Sequence, residues 1–369
     1  MTIDALKLTN EFVEITKIDR ETYNEREMVD YIKARLDGMG FQVEEDNAGD
    51  TFGGNAGNVY AFLPGDLPGE PILFSCHLDT VVPGNGKVAI VEGDIIKSDG
   101  TTVLGGDDLT GILPIIYGIE WAIASGEPRR DIEILFTVAE EVFTYGAKAF
   151  DYNKLRAKSG YVFDMDGAAG QAAISAPSII QAKATVHGRA AHAGFACEDG
   201  INAIAAVTKA VSQMVQGRPD PDSTFNVGTI EGGVATNIVS EKCTIKCETR
   251  GFSHARCEEL IENARILLQK AADEVGGTLD FETKAAVKTY SISENETVVG
   301  RFVKACEAVG MKSELVRTFG VSDANYYAEL GINCLVISTG MSNVHSTNEY
   351  CSISRMVKNA ELVAKLVTQ

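Results

Sequence analysis

The sequence predicts an α/β protein: a mostly parallel mixed sheet flanked by helices, carrying an inserted ferredoxin-like βαββαβ domain. Three observations predict it. Strand-like and helix-like stretches alternate through residues 1–177, the rhythm of a sheet with helices on both faces. From 178 to 288 the order becomes β-α-β-β-α-β, the split βαβ pattern of a compact module. Helix and strand then resume over 289–369, so the first domain is interrupted and completed later. At 369 residues the chain is long enough for two cores.

In order along the chain, "REMVDYIKARLDGMG" has helical period and leads to a strand near Val43. Strands follow around 58–63 and 72–76, a helix from about Leu109 to Ala124, and strands at 132–138 and 161–164. Pro114 lies early in that helix and blurs its start. In the inserted module, "IIQAKATVHG" alternates as a strand and "GINAIAAVTKAVSQMV" is helical. "STFNVGTIEGG" and "NIVSEKCTIKCETRGF" read as strands, "HARCEELIENARILLQKAADEVG" as a long amphipathic helix, and "TLDFETKAAV" as the closing strand. "NCLVIST" and a terminal helix finish the chain, without repeats or low-complexity tracts.

Composition narrows the partners. Apolar content of 45% and charged content of 23% are ordinary for a globular protein. With 33 Lys+Arg against 52 Asp+Glu the net charge is −19, which argues against nucleic acid and anionic membranes as partners. No stretch approaches the roughly 18 apolar residues of a membrane span, and the N-terminus lacks the basic-then-apolar pattern of a secretory signal. The eight cysteines are scattered with no Cys-x-x-Cys, so free thiols in a reducing cytoplasm are expected.

In an open α/β sheet, ligands collect beyond the carboxyl ends of the strands, and the expected strand ends here share one kind of side chain. "ILFSCHLDT" ends on His77 and Asp79, which lie on one side of an extended chain. "TTVLGGDDLTG" delivers Asp107 and Asp108 at a helix start, "ILFTVAEE" delivers Glu140 and Glu141, and "YVFDMDG" delivers Asp164 and Asp166. "GMSNVHSTNEY" adds His345. Alone, an aspartate before a helix is an ordinary cap and Glu-Glu a solvated corner. Together, five clusters on one rim would repel, and a cation is the cheapest way to hold them. Imidazole with carboxylate suits zinc, with manganese or cobalt as substitutes. Two ions about 3.5–4 Å apart fit the inventory. His77, a bridging carboxylate and Asp166 would hold one. The same bridge, one glutamate and His345 would hold the other, leaving one glutamate unliganded.

The ordered segments "HLDT", "LGGDDLTG", "AEEVFTYGA", "DMDG", "GRAAHAG", "EGGVATNIV", "ETRGF" and "NVHSTNEY" resemble the co-catalytic zinc peptidase family of clan MH, which contains peptidase T, glutamate carboxypeptidase and succinyl-diaminopimelate desuccinylase. The resemblance spans essentially the whole chain and looks most like the peptidase T branch. It implies a zinc-exopeptidase-like catalytic domain in 1–177 and 289–369, with a lid and dimerisation domain in 178–288. It implies a cytoplasmic homodimer that hydrolyses short peptides with two Zn2+, Co2+ or Mn2+ being substitutes.

By the same resemblance His77 binds one metal and Asp79 holds its ring. Asp107 bridges, Glu140 is the general base, Glu141 and His345 bind the second metal, and Asp166 completes the first site with Asp164 as its rival. His192 would donate to a developing oxyanion, and Asn237, Arg250 and Gly320 would contact substrate. Two departures bear on substrate: Leu109 replaces a lysine common after the aspartate pair, and "RTFGVSDAN" keeps Arg317 and Gly320 at a different spacing from the Arg-Gly-Gly of peptidase T. A dipeptidase or an N-acyl amino acid hydrolase would use nearly the same ligands. A binding protein with a dead site would lack some ligand, and none is missing. A phosphate cradle at "GGDDLTG" lacks the Lys-Ser/Thr of a P-loop, and its aspartates would repel phosphate.

Overall fold

The structure, a computed structural model, describes residues 2–369, so only the first position of the 1–177 span lies outside it. The chain divides into two compact units, one ending at Ile174 and resuming at Ser291, the other Ser175–Tyr290.

In the first unit the sheet runs in the order Gln42–Glu45, Val59–Leu63, Ile132–Thr137, Ile72–His77, Ser159–Met165, Asn333–Ser338 and Gln171–Ala176. The four strands starting at Ile132, Ile72, Ser159 and Asn333 pair in parallel, and the flanking pairs are antiparallel. Parallel strands covered on both faces must be apolar throughout, and Ile72–His77 and Ile132–Thr137 are buried at every position. Even Glu133 is fully buried. Its carboxylate accepts from Tyr60 Oη at 2.8 Å and from the backbone N–H groups of Arg156 and Ala157, which removes the cost of an unpaired charge.

The helix Gly106–Ser125 departs from helical backbone angles at Asp107 and Asp108, so its regular turns begin at the expected Leu109. A Cβ on Gly111 would stand 2.2 Å from the Phe163 carbonyl, 2.5 Å from Asp108 Oδ1 and 2.7 Å from Cys76 Sγ. Only glycine lets this helix lie that close to two strands. A feature the periodicity did not predict is a separate four-stranded sheet in the order Met341–Ser342, Tyr350–Ser352, Ile95–Ser98, Ala89–Glu92. Its first two strands form a hairpin whose connection carries His345, with φ of 54° at Asn343 and 60° at His345.

The second unit has an antiparallel sheet in the order Gly217–Asp220, Ser223–Gly232, Lys242–Gly251, Ser178–His187, Thr278–Val287. Apart from the short added strand Gly217–Asp220, this is the ferredoxin-like arrangement expected from the β-α-β-β-α-β order. The helices Ala203–Val211 and His254–Val275 pack on the sheet around Val186, Val207, Ile245 and Leu268.

Candidate metal centre

The carboxyl ends of the parallel strands place the acidic and imidazole side chains. His77 closes its strand, and Asp107 sits in the non-helical entry to Gly106–Ser125. Asp164 is the penultimate residue of Ser159–Met165, and His345 comes from the hairpin connection. Adjacent residues of a regular strand point to opposite faces. The chain leaves the strand after Thr137, turns through Ala139 with φ of 51°, and presents Glu140 and Glu141 from that turn.

Two groups of ligand atoms result, His77 with Asp107 and Asp164, and Asp107 with Glu141 and His345. Within each, the atoms lie within 4.8 Å of one another. His77 Nε2 is 2.9 Å from Asp107 Oδ1 and 3.9 Å from Asp164 Oδ1. His345 Nε2 is 3.2 Å from Asp107 Oδ2 and 3.0 Å from Glu141 Oε2. The two oxygens of Asp107 therefore face different histidines, the disposition of a carboxylate shared by two cations. Glu140 belongs to neither group.

Asp79 organises the rim. Its Oδ1 accepts from the Glu140 backbone N–H at 3.0 Å, and its Oδ2 from the Glu141 N–H at 3.2 Å and from Thr22 Oγ1 at 2.8 Å. His77 Nδ1 lies 3.1 Å from the Asp79 carbonyl and 3.4 Å from its Oδ1. Holding Nδ1 this way fixes the tautomer and aims Nε2 at the carboxylates.

The charges are packed more tightly than the side chains alone can balance. Burial, with Asp323, Glu141 and Asp79 nearby, pushes the Glu140 carboxyl well up against the opposing pull of His77. Burial and then Asp107 push Asp164 well up, and burial raises Glu141. Asp107 is pulled the other way: burial raises it, but hydrogen bonds from His345 and His77 outweigh burial and hold it well below the usual carboxylate range. His345 is pushed up to about 10 by its hydrogen bonds to Asp107 and Glu141. Glu141 Oε1 is buried without a hydrogen-bond partner. A crowded set of carboxylates, an orphaned carboxylate oxygen and two imidazole nitrogens turned to one aspartate fit divalent cations, which would let every carboxylate ionise.

Of the expected residues, His77, Asp107, Glu141 and His345 come together, with Asp79 beneath them and Glu140 beside them. Asp166 stands apart: it lies beyond the strand, exposed, and in neither ligand group, whereas its rival Asp164 belongs to the first. The chain turns away after Met165, through Gly167 with φ of 117°, so the two-residue alternation that would align the two aspartates ends before Asp166. Gly320 sits on an exposed turn whose N–H donates to Thr318 Oγ1 at 3.0 Å.

His192, Asn237 and Arg250 belong to the second unit. His192 is exposed, its ring stacks on Phe195 with centroids 4.4 Å apart, and its Nδ1 accepts from the N–H groups of Gly194 and Phe195 at 3.1 Å each. The remaining ring proton is thereby placed on Nε2. Exposed Asn237 accepts the Ala193 N–H at its carbonyl, and Arg250 Nε pairs with Glu248 at 2.7 Å.

Sequence reasoning missed several buried ionisable groups around the centre. Arg20 is fully buried, Glu25 fully so, Asp323 2% exposed and Glu349 1% exposed. Glu349 and Asp323 lay inside segments already singled out, "NVHSTNEY" and "RTFGVSDAN", but neither was read as part of the centre; Arg20 and Glu25 carry no local signal.

Fold and cluster together define an α/β enzyme with a candidate dinuclear metal centre. A family model described as peptidase dimerisation domain matches residues 174–276. The uncharacterized protein YqjE of Bacillus subtilis is 35% identical over 367 residues, covering 100% of this chain and 99% of that protein. Among solved structures, the aminopeptidase PepT from Bacillus cereus superposes with a TM-score of 0.91 at 35% identity, covering 99% of this chain and 98% of that one. A tripeptidase from Staphylococcus aureus superposes with a TM-score of 0.96 at 28% identity, covering 100% and 99%. The chain belongs to the M20 peptidase family, as a peptidase of the PepT type of fold.

Proposed function

We propose that the protein is a dizinc aminopeptidase that hydrolyses the amide bond of short peptides, tripeptides above all. The observation that carries the metal reading is Asp107, whose two oxygens face His77 and His345 separately. His77, Asp107 and Asp164 would hold one ion, and Asp107, Glu141 and His345 the other. When bound, the pair would activate a water and polarise the scissile carbonyl. Glu140 takes the proton of the attacking water and passes it to the leaving amine. Its raised affinity for protons, set by burial first, suits that work once nearby cations bring it toward neutrality. Asp79 keeps both glutamates in register through their own N–H groups. The tripeptide preference rests on the Staphylococcus aureus tripeptidase and the Bacillus cereus aminopeptidase.

In this reading the second unit closes a homodimer and supplies His192, whose Nε2–H donates to the developing oxyanion. Arg250, Asn237 and Gly320 contact the peptide, and the enzyme works in the cytoplasm. Among the described residues no helix is long and apolar enough to cross a membrane.

The test is elemental analysis of protein purified without chelator, with a screen of di- and tripeptides, free and N-acylated. Two equivalents of zinc with cleavage of free tripeptides is the expected result. Turnover of N-acylated compounds alone would replace the aminopeptidase by an N-acyl amino acid hydrolase, and absence of bound metal would overturn the centre.

A further inference from the structure

Beneath the ligands lies a second layer of charge that the proposed reaction does not use. The Arg20 guanidinium, fully buried, donates to four carbonyls: Leu78 at 2.8 Å, Asp79 at 2.6 Å, Gly105 at 2.5 Å and Asp107 at 3.1 Å. The Glu349 carboxylate, 1% exposed, accepts from three backbone N–H groups: Leu104 at 2.7 Å, Gly105 at 2.9 Å and Asp107 at 2.9 Å. Asp107 thus has its N–H held by a carboxylate and its C=O by a guanidinium. Charged partners make these bonds stronger than neutral ones, and burial strengthens them further.

The two groups join the loops that bear the ligands. Arg20 ties the turn after His77 to the turn containing Asp107. Glu349 stands four residues after His345 on the same hairpin and ties it to that same turn, while its own N–H donates to Ser346 O at 3.1 Å. The paired glycines of "LGGDD" make the room. A Cβ on Gly105 would stand 3.0 Å from Arg20 Nη2, at a backbone φ of 72°, and one on Gly106 would stand 3.0 Å from Glu349 Oε1.

We infer that Arg20 and Glu349 are positioning residues that set the separation of the two metal subsites, by locking the Asp107 peptide between the His77 and His345 loops. The inference rests on the dinuclear reading above. Neither side chain belongs to either ligand group. Each acts through the backbone of the shared ligand, and Gly105 and Gly106 are small so that both can reach it. A loosened Asp107 weakens both ions together, because it belongs to both groups.

The experiment titrates chelator-treated full-length protein with Zn2+ by calorimetry, and measures kcat and KM on a tripeptide for wild type, R20K, E349Q and G106A. Wild type is expected to take two equivalents. R20K loses the planar fork, E349Q replaces part of an acceptor by an N–H donor, and G106A displaces Glu349 without removing charge. Each should bind zinc about ten- to hundredfold more weakly, as is usual when a partner behind a ligand is lost. The fall in activity should appear in kcat with KM within about twofold. Variants with wild-type circular dichroism that take two equivalents at wild-type affinity would overturn the inference and leave the dinuclear reading intact. A wild type that binds no zinc would overturn both. Should R20K or E349Q fail to fold, G106A and the shortened but still charged E349D carry the same test.

Discussion

Glu140 and Glu141 are neighbours that reach one rim, and a single backbone angle puts them there. A regular strand would turn one of them into the core. The positive φ at Ala139 ends the strand early and leaves both on the rim, their N–H groups shared by Asp79. Replacing Glu140 with Gln should therefore keep both metals and lower kcat by about 10²- to 10⁴-fold, the range for loss of a general base. Stopped assays with parallel metal analysis check this, and unchanged turnover would remove Glu140 from that role. The pair of aspartates further along separates in the same manner. Asp164→Asn should release one metal equivalent, while Asp166→Asn, altering an exposed side chain outside both groups, should leave stoichiometry unchanged. Most of the candidate ligands were legible because they stood near the end of an apolar run. Asp164 and Asp166 looked alike because periodicity does not resolve that the strand stops one residue before Asp166. Arg20 and Asp323 were not read as part of the centre for a different reason: a lone arginine or aspartate acquires meaning only from the carbonyls and hydroxyls that the fold brings to it.

The helix Gly106–Ser125 and its strands depend on how closely backbones approach. Gly111→Ala would drive a methyl against the Phe163 carbonyl and Asp108, so the helix entry carrying Asp107 must shift. Overpacking of this kind costs about 1–3 kcal/mol, and both the urea midpoint and zinc affinity should fall together. The turn before Glu140 has its own buried acid. Glu25 Oε1 accepts the N–H groups of Tyr23 and Ala139, and burial, then Asp79, push its carboxyl up from 4.5 to about 7. The folded chain therefore keeps a proton that the unfolded chain releases. The stabilisation is fully present below about pH 4.5 and lost as pH rises through about 7. Glu25→Gln removes that loss, so the stability of the variant relative to wild type should climb by about 3 kcal/mol between those pH values. Denaturant unfolding at pH 4.5, 6 and 8 reads it, and a difference flat with pH would show that Glu25 ionises normally. At this scale the long elements were legible from their period. The four-stranded sheet was not: its strands span two to four residues, too short for a periodic signal, and two of them pair across more than 250 residues of chain.

Across the whole molecule, an acidic centre of this kind should make stability depend on cations. Ligands that bind only the folded chain stabilise it by mass action, about 2.7 kcal/mol per site at a hundred times the dissociation constant. Chelation should accordingly lower the melting temperature, and zinc should restore it where magnesium, which prefers all-oxygen octahedral sites, does not. A melting temperature indifferent to chelator would count against a metal centre. Light scattering at several concentrations should give twice the chain mass if the second unit pairs the subunits. The architecture of each unit was legible in outline because alternating elements admit few topologies. The pairings between sequence-distant strands that complete the first unit follow from tertiary packing, which no local window contains.

The strand Asn333–Ser338 lies between Ser159–Met165 and Gln171–Ala176 in its sheet, although it comes after the whole second unit in the chain. On the ribosome, Ser175–Tyr290 emerges in one piece before that strand exists. The second unit is therefore free to fold first, while the half-built sheet waits with an open seam beside Ser159–Met165. His345 and Glu349 leave the tunnel later still. A nascent chain stalled before residue 333 should hold a protease-resistant core from the second unit alone and capture no zinc, so truncation near the carboxyl terminus removes the chemistry before it removes all structure.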